Sequence, residues 1–157
     1  MKNSNPQSVE ARLEKLAYRK TKPFCYSCYR VAPNGRCELC GSDDLMREAA
    51  GEGVDWGVSW YLPTLLRDNL TPVNAEEAFE EMVRECYPET VNVAWLELDA
   101  VTVLKDSDPL SWRMAMDEYA DNQLSDEQWI TVDNGATYYS TCEVEHFLDE
   151  AESEAVA

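Results

Sequence analysis

The sequence predicts an α+β protein: an N-terminal helix and a four-cysteine segment, then an acidic domain with a small antiparallel sheet and several helices. Three observations carry this. Two C-x-x-C pairs, Cys25/Cys28 and Cys37/Cys40, lie close together. Apolar residues recur at helical spacing behind Ser8, Asn74 and Asp108, residue types that favour helix N-caps. A β-branched and aromatic run at 91–98, and Asn134-Gly135 between two short stretches rich in β-branched and aromatic residues, mark strands. The division expected is 1–48 for the helix and cysteine segment, and 49–157 for the acidic domain.

The first helix starts at Ser8. Val9, Leu13, Leu16 and Ala17 form its apolar face, and Tyr18 extends it. Arg12, Lys15, Arg19 and Lys20 cover much of the remainder. Lys22-Pro23 stops the helix, because a residue before proline leaves the α region.

The stretch F-C-Y-S-C-Y-R-V-A-P-N-G-R-C-E-L-C-G-S, residues 24–42, follows. Each C-x-x-C makes a tight turn that points two sulfurs at one spot, and thiolates match the softness of Zn2+. Eight residues separate Cys28 from Cys37, and Pro33-Asn34-Gly35 within them predicts a hairpin that returns the second pair to the first. The segment resembles a compact zinc ribbon, which implies one structural Zn2+ held by Cys25, Cys28, Cys37 and Cys40. The metal either staples a segment too short for its own core or also presents a partner-binding ribbon. Residues 1–7 are polar and lack the apolar stretch of a signal peptide, so a reducing, cytoplasmic setting is expected and disulfides are not. A redox C-x-x-C would need a βαβ context that neither pair has. Cys86 and Cys142 read as free thiols, and no apolar run reaches membrane-spanning length.

Charge is unevenly laid out. Thirteen basic and 31 acidic residues give a net charge of −18. Residues 1–36 hold eight basic side chains against Glu10 and Glu14, a balance of +6, so residues 37–157 carry −24. Such a body repels phosphate and attracts basic protein surfaces. Solubility alone is the plainer reading. At the basic end Arg12, Lys15, Arg19, Lys20, Lys22, Arg30 and Arg36 interleave with Phe24, Tyr26 and Tyr29, which suits either nucleic-acid contact or packing of the ribbon on its helix.

Residues 43–55 read as a connector around Gly51-Glu52-Gly53. Leu62, Leu65, Leu66 and Leu70 recur at helical spacing, with Pro63 in the first turn. Trp56, Trp60 and Tyr61 beside them are core or a partner-binding anchor. Asn74-Ala75-Glu76-Glu77 forms a capping box. The helix behind it places Ala78, Phe79, Met82, Val83 and Cys86 on one face, and Glu76, Glu77, Glu80, Glu81 and Glu85 largely on the other. Those five glutamates are the candidate face for a basic nucleic-acid-binding protein. Residues 91–98 predict one central strand, apolar on both faces. Asp99 caps a short helix over 100–105. Asp108-Pro109 opens a longer one over 109–122, with Leu110, Trp112, Met114, Ala115, Met116, Tyr119 and Ala120. Strands over 128–133 and 136–141 flank Asn134-Gly135. Ser140-Thr141-Cys142-Glu143 caps a last helix striped by Val144, Phe147, Leu148 and Ala151, whose Ala-Glu-rich end should fray.

The run L-E-L-D-A-V-T-V-L-K-D-S-D-P-L-S-W-R-M-A-M-D-E-Y-A-D, then I-T-V-D-N-G-A-T-Y-Y, resembles a small domain of uncharacterised bacteriophage and plasmid proteins. The resemblance covers residues 96–139. It implies a mobile-element origin and brings no catalytic residues.

Chemistry is sparse. His146 is the one histidine, and it shares a helix face with Cys142. The pair lacks a third group and an evident oxyanion site. No phosphate-binding glycine motif occurs. The expectation is a non-enzymatic binding protein of a mobile element. Its acidic surface would engage, and in the manner of a DNA mimic inhibit, a basic host protein, as antirestriction and anti-CRISPR proteins do. The alternatives are a zinc-ribbon nucleic-acid-associated or transcription regulator using the basic end, and a small cysteine-dependent enzyme.

Overall fold

The computed structural model describes residues 8–156; the polar start read at 1–7 and the terminal Ala157 lie outside them. Two compact units emerge. One comprises Met1–Thr71 with Thr141–Ala157, and the other is Pro72–Ser140. Mixed helix and small antiparallel sheets follow the expected class. The division expected between residues 48 and 49 instead falls inside a strand.

In the first unit α1 spans Val9–Lys20. The Ser8 hydroxyl accepts from the Ala11 amide, and Thr21 leaves the helical region before Lys22-Pro23, as expected. The strands β1 (Lys22–Cys25), β2 (Arg30–Val31), β3 (Met46–Ala49) and β4 (Gly53–Asp55) form one antiparallel sheet in the order β2-β1-β3-β4. The register pairs Phe24 with Val31 across β1–β2, Pro23 with Arg47 across β1–β3, and Arg47 with Asp55 across β3–β4. Residues 43–55 are therefore a hairpin added to the ribbon sheet, not a connector. A 3-10 turn (Ser59–Tyr61) leads into α2 (Leu62–Asn69). The last helix, α6 (Thr141–Val156), returns to pack on α1. Leu13, Leu16, Ala17, Leu62, Leu65, Leu66, Val144 and Leu148 are the buried apolar residues of α1, α2 and α6 among the described residues.

Two buried arginines organise this unit. Arg12, 8% exposed, donates to both carboxylate oxygens of Glu152 (2.9 and 3.0 Å) and to Asp149 (2.7 Å). The fraying expected from Ala151 is thus countered at Glu152 by a forked ion pair to α1. Arg47 on β3 donates to the Thr21 hydroxyl (3.0 Å) and to the carbonyls of Tyr18 (2.6 Å) and Thr21 (2.7 Å). It closes the C-terminal end of α1, where unpaired carbonyls and the helix dipole favour a cation.

In the second unit α3 spans Ala75–Cys86, with the Asn74 side chain accepting from the Glu77 amide at 3.1 Å. Cys86, expected on its apolar face, is exposed. The single strand expected at 91–98 is a hairpin: β5 (Thr90–Val93) pairs with β6 (Leu96–Asp99). Ala94 turns the chain at φ 54°, and Val93 pairs with Leu96 across a two-residue loop. Two apolar faces in the linear reading become one apolar and one polar face of a folded ribbon. Asp99 caps α4 (Ala100–Ser107) through the Thr102 amide and also holds Arg84 of α3 at 2.7 Å. α5 spans Pro109–Ser125, capped by Asp108 on the Ser111 amide. Phe79, Val83 and Val101 form the small core, flanked by Met82, Trp112, Met116 and Tyr119. Ring contacts run from Phe79 to Trp112 (4.7 Å) and Tyr119 (5.6 Å), then to Trp129 (5.6 Å) and Tyr138 (5.5 Å).

The last hairpin is shorter in its ladder than expected. β7 (Trp129–Ile130) and β8 (Tyr139–Ser140) pair over two residues each. Asn134 and Gly135 do turn at positive φ, 59° and 89°, but within a loop held by Asp133, which accepts from the Thr131 hydroxyl and the Thr137 amide at 2.9 Å each. Among the described residues no helix is long and apolar enough to cross a membrane.

Candidate functional site

The four ribbon cysteines converge. Cys25 ends β1, Cys28 lies in the turn to β2, and Cys37 and Cys40 form the second turn. Their sulfurs all lie within 4.8 Å of one another, with Cys25 and Cys40 Sγ 3.7 Å apart. A tetrahedral ion with bonds of about 2.3 Å to sulfur separates its ligands by about 3.8 Å. The Cys25–Cys40 spacing fits that edge and is far too long for a disulfide, whose sulfurs sit about 2.05 Å apart. Cys25 and Cys37 are buried, Cys28 is half-buried and Cys40 faces solvent. The cluster could therefore hold a metal ion with four protein ligands, leaving no coordination position for a substrate.

Local backbone geometry makes this convergence. The residue after each pair, Tyr29 or Gly41, takes a left-handed conformation, with φ 54° and 73°. The Gly41 amide donates to the Cys37 carbonyl at 2.8 Å and closes the second turn. Tyr29 adopts the same conformation without being glycine, its ring edge-on to the buried Phe24 at 5.2 Å. The hairpin predicted at Pro33-Asn34-Gly35 is placed differently. The β1–β2 hairpin turns at the first cysteine pair itself, and the Gly35 amide closes a separate turn on Ala32 at 3.0 Å.

The thiols are electrostatically divided. Backbone amides, that of Cys40 first and that of Leu39 with it, draw the Cys37 thiol down to about 6 against the effect of burial. The sulfurs of Cys37 and Cys40 push Cys28 up to about 12. A second thiolate beside that of Cys37 is thus disfavoured while the sulfurs stand alone, a penalty that a divalent cation relieves.

The acidic side chains on α3 do not form one free face. Lys105 of α4 is held by Glu76 at 3.0 Å and, in close contact, by Glu80. Glu77, Glu81 and Glu85 are exposed and free of ion pairs among the described residues. Of the candidate nucleic-acid contacts, Arg12 is removed by its buried pairing with Glu152 and Asp149. It was read as surface because its acceptors lie about 140 positions away along the chain. Lys15, Arg19, Lys20, Lys22, Arg30 and Arg36 are exposed, and Arg36 lies 3.9 Å from Asp43. Tyr26 and Tyr29 stand exposed beside the first cysteine pair.

Cys142 and His146 both lie on the exposed side of α6, on a face shared with Glu145, Asp149 and Glu150. His146 Nδ1 is 3.7 Å from Glu150. No hydrogen bond joins the thiol to the imidazole among the described residues. Sequence reasoning missed an apolar groove in the second unit, lined by Met82, Val91, Val103, Leu104, Trp112 and Tyr119 among others. Its signal was α5, whose apolar residues encircle the helix and so cannot all face one core. No family model, curated protein or solved structure matches this chain.

Proposed function

We propose that this chain is a non-enzymatic binding protein, stapled by one structural zinc ion, whose acidic unit engages a basic nucleic-acid-binding protein. The observation that carries the reading is the charge of Pro72–Ser140. This unit has 16 acidic residues against Arg84, Lys105 and Arg113, a net of −13. Two of its three cations are already held by its own carboxylates. The surplus is left to act on whatever approaches, raising the association rate of a cationic partner and excluding nucleic acid. Blocking a DNA-handling host protein by imitating DNA charge, in the service of a phage or plasmid, is the biological form of this proposal. Zinc is the assignment for the ribbon because four thiolates in tetrahedral array select a soft ion.

The test combines capture with charge removal. A lysate protein that co-purifies should lose DNA binding when the pure chain is added stoichiometrically. Replacing Glu77, Glu81 and Glu85 together by Gln should weaken capture and flatten its salt dependence; unchanged affinity removes α3 from the contact. Elemental analysis should find one zinc per chain, lost in Cys37→Ser, and metal content unchanged by that substitution rejects the ligand set.

A second reading rests on the ribbon. Tyr26 and Tyr29 are exposed, as are Lys22, Arg30 and Arg36 of the same segment, and exposed aromatics with cations suit the stacking and tracking of single-stranded nucleic acid. Salt-sensitive binding of an oligonucleotide, abolished in Tyr29→Ala, would favour it over the acidic reading.

A further inference from the structure

The small core of Pro72–Ser140 leaves much apolar surface uncovered. α3, α4 and α5 border a groove of about 810 Å3, floored by Phe79, Val83 and Trp112 and walled by Met82, Val103 and Leu104. Leu104 is 49% exposed despite its place in that wall. Val91 also lines the groove, and the register puts Val91, Val93, Leu96 and Leu98 on one face of the β5–β6 hairpin. The opposite face carries Thr90, Asn92, Glu97 and Asp99. The apolar strip thus continues from the groove onto a two-stranded ribbon, an element marginal by itself in water. Trp95, at the tip of that ribbon, is 90% exposed. The Trp112 indole N–H is shut off from solvent without an acceptor among the described residues.

Asp108 and Glu118 put negative charge on the rim of the groove. Lys105, whose ammonium lies 5.3 Å over the Trp112 ring, is already held by Glu76 and Glu80. Burial, with Glu85 and Glu81 reinforcing it, pushes the Tyr119 phenol up at the same groove. A second copy of the chain is a poor occupant, since it would set a unit of −13 against its like. A small polar ligand is a poorer match, since the lining is mostly apolar and its polar side chains, Ser107, Asp108, Ser111, Glu118 and Asn122 among them, are outnumbered by large apolar ones. An apolar strip inside a negative rim is complementary to one kind of segment, a helix with large apolar residues on one face and Lys or Arg beside them.

We propose that the α3–α4–α5 groove is a docking site for a basic amphipathic helix of a protein partner, with the hairpin face extending the contact. The proposal rests on the acidic-surface reading above and adds the apolar contact that sets register. The probe is a synthetic Leu/Lys peptide with leucines at i, i+3, i+4 and i+7, compared with a scrambled isomer of equal charge. Both are titrated into the full-length, metal-loaded chain at low and moderate salt. The patterned peptide should bind at least tenfold more tightly than its isomer and shift the Trp112 indole resonance. Leu104→Glu and Ala115→Glu, both at exposed positions, should each remove that preference while leaving the weaker, salt-sensitive binding of the isomer. Equal binding of the two isomers, or a preference surviving both variants, overturns the groove while the acidic reading stands. Failure of either peptide to bind in a salt-sensitive way overturns both.

Discussion

Arg47 is the side chain whose loss should be felt most in the first unit. It is 8% exposed, has no carboxylate partner within 4.0 Å among the described residues, and spends its donors on the end of α1. Replacement by Met keeps the stem and removes the guanidinium. The Tyr18 carbonyl would still accept from Thr21, but the Thr21 carbonyl would lose its 2.7 Å donor in a buried setting. An orphaned buried acceptor costs about 1–3 kcal/mol. The lost charge at a helix C-terminus adds about 0.5–1 kcal/mol. The lost stacking on the Tyr18 ring, 3.8 Å from the guanidinium, adds about 0.5–1 kcal/mol at this half-open site. Relief from burying a charge offsets part of the sum. The expected net is about 2–4 kcal/mol, a large share of the roughly 5–15 kcal/mol that holds a typical domain. Arg47→Lys should recover less than half, because an ammonium cannot reproduce a planar fork that spans a hydroxyl and two carbonyls. Urea unfolding of the metal-loaded protein measures the loss, and metal release to a colorimetric chelator reports the same unit independently. A Met variant within about 0.5 kcal/mol of the wild type would refute the capping role.

Two further outcomes follow from the same unit. Arg12 holds the Glu152 carboxyl below its ordinary value of 4.5, so their pairing stabilises the fold above that pH and fades as pH falls through the depressed value. The stability gap between wild type and Arg12→Met should therefore narrow from about pH 7 to about pH 3, and a gap independent of pH would mean the ion pair contributes nothing. Gly41, at φ 73° with open space around a would-be Cβ, should lose about 1–2 kcal/mol on change to Ala from backbone strain alone. Asn should recover part of that loss, and an Ala variant as stable as wild type would show that the second cysteine turn tolerates another geometry.

What was legible in the sequence was what the chain encodes locally. The cysteine cluster was readable because each pair acts within four residues and the two turns are eight apart. The starts of α1, α3, α4 and α5 were readable because Ser8, Asn74, Asp99 and Asp108 cap amides three positions away. The β5–β6 hairpin was not, because Ala94-Trp95 lacks the Gly or Asn that normally marks a two-residue turn, and Ala94 adopts φ 54° regardless. The β3–β4 hairpin was hidden in short strands rich in charge, and nothing in the sequence near Arg47 announces that Tyr18 and Thr21 come to it. Arg12 and Glu152 could not be paired from sequence at all, since nothing local announces that α6 returns to α1.

That return also redraws the charge argument. Read along the chain, a basic head of +6 precedes a body of −24. In the folded chain, α6 brings six acidic residues back into the unit that holds the basic end, and that unit's net charge is −5. The linear contrast between head and body is therefore weakened where it looked strongest. The excess concentrates in Pro72–Ser140, where 16 carboxylates meet three cations. A field from so many like charges opposes the compactness of the unit that carries it. The same unit has few buried apolar residues and exposes Trp95, Leu96 and Leu104. Solubility can account for acidic residues scattered over a surface, but it gives no reason to set apolar side chains among them. The proposed cationic partner with an apolar face would answer both features at once, covering the groove and neutralising its rim.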